Sequence, residues 1–274
     1  MQIEIGFDPI IAQLGPFQLG WHGVFTALAV AVAVWLGRRL VERWGLPGER
    51  IGGVVTWAVI GGLVGARLFF VLDHWPALLA HPLDALAVWE GGIAVYGAFL
   101  GGIAAGGLAA WRAGLPIWPL LDAAAPAMLV GQAIGRLGCL SNGDAWGAPC
   151  AGPLCVVYTH PHDLLPPALL GVPTHPYPLY EIGAALLLLA GLWLARRRLA
   201  APGTTFLVAA LGYAAIRFGL SFFRQEALVL WGLQQAQVVA LLTGLVVGGL
   251  LLVRWYAARH GAAPLGERGA RVSA

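Results

Sequence analysis

GVFTALAVAVAVWLG, residues 23–37, holds no ionisable side chain, and Arg38 and Arg39 follow it at once. Charge is costly in hydrocarbon, so an apolar run that ends on arginines reads as a membrane helix reaching a water interface. Six more runs repeat the pattern along the chain. Ile51 to about Leu72 carries one charge, Arg67, and the stretch between Glu90 and Arg112 carries none. Ile117 to Ile134 is interrupted only by Asp122, Leu179–Ala195 by Glu181, and Thr204–Phe223 by Arg217, while Ala236–Val253 is uncharged. Seven spans are expected, which makes the chain an all-α integral membrane protein.

Composition points the same way. Of 274 residues, 59% are hydrophobic and 11% charged, with mean hydropathy +0.78. Soluble domains carry about 25% charged residues, so a disordered chain, a nucleic-acid-binding module and an ordinary cytosolic enzyme are all excluded. All 16 basic residues are Arg. Arg38, Arg39, Arg43 and Arg50 fall in the first inter-span loop, and Arg112 in the third. Arg196, Arg197 and Arg198 fall in the fifth, and Arg254, Arg259, Arg268 and Arg271 in the tail. Those twelve share one side if the N-terminus is outside and the C-terminus cytoplasmic, the orientation basic loops favour. Glu4, Asp8, Asp73, Asp84, Glu90, Asp144, Asp163 and Glu226 then lie at the opposite face. Residues 1–20 have no basic start and include Asp8 and Pro16, so the first span is expected to be retained. Residues 1–255 read as one multi-pass domain with an outer segment at 136–178, and 256–274 as a basic cytoplasmic tail.

Four arginines remain: Arg67, Arg136, Arg217 and Arg224, within spans or at their outer ends. An Arg at the bilayer centre costs about 2.5–3.5 kcal/mol on insertion scales, so it faces a partner or a polar cavity. Asp122, Glu181 and Glu226 are candidate partners. They are too few for a neutral interior, and guanidinium suits phosphate, so the pattern also fits a pocket for an anionic lipid headgroup. The pairs Gly97/Gly101, Gly102/Gly106 and Gly131/Gly135 have the spacing that lets membrane helices approach closely.

The outer segment opens on GRLGCLSNGDAWG, residues 135–147. Here the chain resembles the prolipoprotein diacylglyceryl transferases, whose signature reads G-R-x-G-N-x-x-N-G-E-x-x-G. Gly135, Arg136, Gly138, Asn142, Gly143 and Gly147 match it, with Asp144 in place of Glu. Gly65-Ala66-Arg67-Leu68-Phe69, Trp89-Glu90-Gly91-Gly92, Leu121-Asp122, Ala125-Pro126, His175-Pro176, Leu179-Tyr180-Glu181, Arg217 and Phe222-Phe223-Arg224 resemble further family landmarks in the same order. The resemblance implies a multi-pass transferase of the bacterial cytoplasmic (inner) membrane, with its site toward the outer side. Such an enzyme moves the diacylglyceryl group of phosphatidylglycerol onto the lipobox cysteine of prolipoproteins and releases glycerol phosphate, the first step of lipoprotein maturation. It implies phosphatidylglycerol, prolipoproteins and membrane lipids as partners, no nucleic acid and no cofactor. The family's essential arginines fall on Arg136 and Arg217. Asn142, Gly143, Asp144, Gly147, Arg67, Arg224 and Glu181 fall among the substrate-binding positions. The alternative is a relative within the family that binds or transports anionic phospholipid without transfer.

Three departures qualify the match. The family's Trp-Tyr-Gly and His-Gly motifs become Trp21-His22-Gly23 and Tyr96-Gly97, exchanging imidazole and phenol. If both side chains face one cavity, His22 is suited to take a thiol proton and Tyr96 to hydrogen-bond phosphate. Cys139 replaces the signature Asn, losing the amide's hydrogen bonds. Ser221 replaces an acid before Phe-Phe-Arg. Cys150 and Cys155 have the spacing for a small disulfide in an oxidising exterior. With His160 and His162 they also have the ligand types of a metal site, although the reaction calls for no metal.

Overall fold

Hydrocarbon offers a backbone no hydrogen bonds, so an apolar run must satisfy its own N–H and C=O groups by coiling into a helix. A computed structural model of the chain describes residues 2–15, 17–43, 45–75 and 94–260. Among these, the helices are α1 (Trp21–Glu42), α2 (Gly48–Asp73), α3 (Val95–Arg112), α4 (Ile117–Asn142), α5 (Tyr177–Ala195), α6 (Thr204–Leu220) and α7 (Gln235–Arg259). All but α3 are long and apolar enough to cross a membrane. The span expected between Glu90 and Arg112 corresponds to α3, and its first residues lie outside the described ones. Leu63, Leu187, Leu194 and Leu245 are each exposed by about two thirds or more. Such outward leucines suit lipid contact and not water. The chain is an all-α integral membrane protein.

The short strands are β1 (Ile3–Ile5), β2 (Ile10–Leu14), β3 (Phe17–Gly20), β4 (Val156–Tyr158), β5 (Leu228–Leu230) and β6 (Leu233–Gln234). β1 runs parallel to β4 with Ile3 opposite Val156, and Thr174 bonds the other side of Val156. Ile5, Val156, Tyr158 and Leu165 form a small buried core around that pairing.

The described chain falls into two compact units. One comprises residues 1–12, 19–33 and 121–274, and the other residues 13–18 and 34–120. In the second, α2 and α3 lie backbone to backbone. A Cβ on Gly101 would sit 2.1 Å from the Gly61 carbonyl oxygen, and one on Gly97 2.2 Å from that of Gly65. No side chain fits between those carbonyls, the condition small-residue spacing serves in membranes. We expect Gly101→Val to cost at least about 1–3 kcal/mol by overpacking. Gly107, where a Cβ meets nothing within 4 Å, should accept Ala unchanged. Thermal unfolding of the two variants in detergent checks this; equal midpoints would show that the close approach does not matter.

In the first unit, Ala125 and Leu129 of α4, Ala185 and Leu192 of α5 and Ala209 of α6 pack as the core. Asp122, a candidate counter-ion for an interior arginine from the sequence, meets backbone donors and the charge of Arg254. Its carboxylate accepts hydrogen bonds from the Gly203 and Phe206 N–H groups, at 2.5 and 2.8 Å. It therefore caps the α6 N-terminus, whose donors lack helical partners. The α4 helix also outlasts its expected end at Ile134 and runs to Asn142. The helix continues past Arg136 because that charge is met inside the protein by Glu181.

Candidate active site

Glu181 sits in the second turn of α5 with its side chain 1% exposed, flanked by α4 and α6. A buried carboxylate requires partners, and the two neighbouring helices supply one each. Arg217 Nη1 lies 2.8 Å from Glu181 Oε1, and Arg136 Nε forms an ion pair with Oε2. Each carboxylate oxygen thus faces a different guanidinium. Tyr177, one helical turn before Glu181 and fully buried, accepts a hydrogen bond from Arg217 at 2.5 Å and donates to Glu181 Oε1 at 3.5 Å. Its ring also lies under Arg224, whose guanidinium carbon is 5.1 Å from the ring centroid. Arg224 pairs with Glu226 at 2.8 Å, which makes that pair neutral.

Two guanidiniums share one carboxylate, so this cluster keeps one positive charge in excess. The Arg136 and Arg217 side chains are 20% and 22% exposed, so donors remain within reach of a ligand. Ser221, at the position of the missing acid, is buried and donates to the Arg217 backbone carbonyl at 2.6 Å. Glu181 serves Arg217 in its stead.

A second group lies where α4 ends. Gly138 rests on the backbone of His22, 3.1 Å from its Cα to a hypothetical Cβ. That contact brings the last turn of α4 against the first turn of α1. His22 Nδ1 is 3.1 Å from Asp144 Oδ2, and Asn142 donates to the same oxygen at 3.4 Å. Gly143 turns the chain with φ +68°, a conformation costly for residues with a Cβ. Burial is the largest influence and on its own would raise the Asp144 pKa; the hydrogen bond and charge of His22, with hydrogen bonds from Cys139 and Asn142, together outweigh it and hold the carboxyl below its ordinary range. Arg136 joins the two groups, because its Nη1 donates to Cys139 Sγ at 3.5 Å. Gly147 lets the loop pass the His175 backbone, where a Cβ would meet the carbonyl oxygen at 2.6 Å.

The structure therefore gathers Arg136, Arg217 and Glu181 with Arg224 alongside, and His22 with Cys139, Asn142 and Asp144. Arg67 lies in the other unit, 4.9 Å over the Phe70 ring. Tyr96 belongs to α3, and its side chain is outside the described residues, as is Glu90. Tyr177 is the site residue that sequence reasoning misses. Its signal, a Tyr four residues ahead of Glu181, is hidden because Pro176 and Pro178 disguise the start of α5.

Cys150 and Cys155, with Cα atoms 6.2 Å apart, are joined by a disulfide, and Cys139 is the free thiol. His160 and His162 face Asp8 and not the cysteines, at 3.9 and 3.1 Å. Alkylation without reductant should label Cys139 alone on the unfolded protein, with Cys150 and Cys155 labelled only after reduction. Mass mapping of the peptides checks it, and direct labelling at Cys150 would contradict the bridge.

Comparison with known proteins adds a family-wide match. The sequence profile of the family described as prolipoprotein diacylglyceryl transferase matches residues 9–255. The chain is similar to the phosphatidylglycerol–prolipoprotein diacylglyceryl transferase of Thermosynechococcus vestitus, 36% identical over 250 residues, covering 89% of this chain and 91% of that protein. Proteins of the same name from Synechococcus elongatus and Gloeobacter violaceus are 35% and 34% identical. They cover 90% and 96% of this chain and 86% and 98% of their own lengths. A match that begins before α1 and ends within α7, shared with relatives of equal extent, means that the chain belongs to the prolipoprotein diacylglyceryl transferase family.

Proposed function

We propose that this protein transfers the diacylglyceryl group of phosphatidylglycerol to the lipobox cysteine thiol of prolipoproteins, releasing glycerol phosphate. The observation that carries the proposal is the buried carboxylate shared by Arg136 and Arg217, which leaves one positive charge for a phosphate. When the thiolate sulfur attacks the glycerol carbon bearing the phosphate, an S–C bond forms and that carbon's bond to oxygen breaks. The electron pair moves onto the phosphate oxygen. Arg136 and Arg217, held in place by Glu181 and Tyr177, stabilise that developing charge in a site shielded from bulk water. Arg224 orients the headgroup, and Asn142, Gly143, Asp144 and Gly147 shape the outer wall. His22, anchored on Asp144, handles the thiol proton.

In this reading the protein is a seven-span enzyme of the bacterial cytoplasmic membrane. Its N-terminus and active site face outward, and the tail at 256–274 faces the cytoplasm. Expression in a bacterium whose own transferase is shut off tests the reading. Growth and thioether-modified lipoproteins should return, and failure to return with folded protein in the membrane would count against it.

A further inference from the structure

We propose that His22, Cys139 and Asp144 bind a zinc-type divalent cation whose open position receives the acceptor thiol. The inference rests on the transfer reading above and specifies how the thiol is activated. The first turn of α1, the last turn of α4 and the loop after it each supply one ligand type. An imidazole nitrogen, Cys139 Sγ and a carboxylate oxygen all lie within 4.8 Å of one another. Tetrahedral zinc, with bonds of about 2.0–2.3 Å, places its ligand atoms roughly 3.3–3.7 Å apart. The pair of 3.1 Å between His22 Nδ1 and Asp144 Oδ2 is already near that spacing. Asp144 Oδ1 is buried with no hydrogen-bond partner among the described residues. A buried acceptor of that kind needs an explanation, and a cation supplies one.

The donor chemistry agrees. A thiolate, a carboxylate and a neutral imidazole carry two negative charges against a divalent cation, and this mixed set suits zinc. The Arg136 hydrogen bond to Cys139 Sγ fixes the orientation of the ligand sulfur. Three protein ligands with one open position is the pattern of catalytic and not structural zinc. Two of the three positions, His22 and Cys139, are also places where this chain departs from the family motif, and Asp144 keeps the carboxylate there in a shorter side chain.

The acceptor in this reaction is itself a thiol, and a thiol that coordinates such an ion loses its proton, here to solvent. Sulfur then forms the S–C bond, the carbon–oxygen bond to phosphate breaks, and the leaving electrons go to the phosphate oxygen. Arg136 touches both halves, Cys139 through Nη1 and Glu181 through Nε. It thereby sets the thiolate beside the phosphate. His22 thus handles the thiol proton indirectly, as a ligand of the ion that acidifies the thiol.

Cobalt(II) titration of the full-length protein in detergent, stripped first with a chelator, tests the site. One equivalent should bind and produce thiolate-to-cobalt charge-transfer absorption, which zinc displaces. Cys139→Ala should abolish the band, and Asp144→Asn should weaken binding at least about tenfold. Asp8, His160 and His162 also lie close enough together to take an ion, but they carry no sulfur, and Cys150 and Cys155 are bridged. The band therefore reports Cys139. Absence of the band at stoichiometric cobalt overturns the site. Transfer should fall at least about tenfold on chelation and return with zinc; full activity in the chelated enzyme overturns the role in thiol activation. A clear band with no transfer at any metal level would support the site and count against the transfer reading alone.

Discussion

Replacing Glu181 by Gln should be the most damaging single change in the protein. The amide keeps the shape but removes the negative charge between Arg136 and Arg217. Two mostly covered guanidiniums then face each other uncompensated. Breaking a buried pair by removing one partner costs about 3–5 kcal/mol. That corresponds to a fall in unfolding midpoint on the order of 10 °C for a chain of this size. Misplaced arginines should also lower transfer about a hundredfold. The charge argument carries a further signature. Glycerol phosphate, which supplies anionic charge, should raise the midpoint of Glu181→Gln more than that of the wild type. If the ligand stabilises both equally, the anion does not bind at this cluster.

Arg217→Ala should lose comparable activity for a different reason, and with less loss of stability. Removing one donor aimed at developing negative charge costs about 10²–10³ in kcat. Glu181 still keeps Arg136, so no buried charge is stranded, and the midpoint should fall less than in Glu181→Gln. Arg217→Lys should not restore the rate, because a single ammonium cannot serve Tyr177, Glu181 and a phosphate together. Tyr177→Phe removes one hydrogen bond to Arg217 and should cost only about 0.5–1.5 kcal/mol. Kinetics over a range of phosphatidylglycerol in mixed micelles measures all three. A fully active Arg217→Lys would remove Arg217 from the chemistry.

Much of this architecture is legible in the linear sequence. Apolar runs reveal the helices, and the partition of arginines leaves four over, of which the family resemblance singles out Arg136 and Arg217. What stays hidden is pairing over long sequence distance. The expected end of the fourth span stops at a charge, since nothing near Arg136 in the sequence announces a carboxylate 45 residues away on α5. Asp122 looks like a counter-ion until α6 is seen to begin over it. The parallel pairing of Ile3–Ile5 with Val156–Tyr158 involves strands of three residues, too short for a period-two pattern to show. His22 and Cys139 read as unrelated departures from a motif, and Asp144 as a conservative replacement within it. They meet only because Gly138 allows α4 to lie against the His22 backbone.

The most direct measurement is in vitro transfer from labelled phosphatidylglycerol to a lipobox peptide by the purified protein. The account predicts a thioether-linked diacylglyceryl peptide and an equal amount of glycerol phosphate, with both lost in Arg136→Ala and Arg217→Ala. Binding of phosphatidylglycerol with no thioether product, under conditions where one of the named relatives turns over, would contradict it.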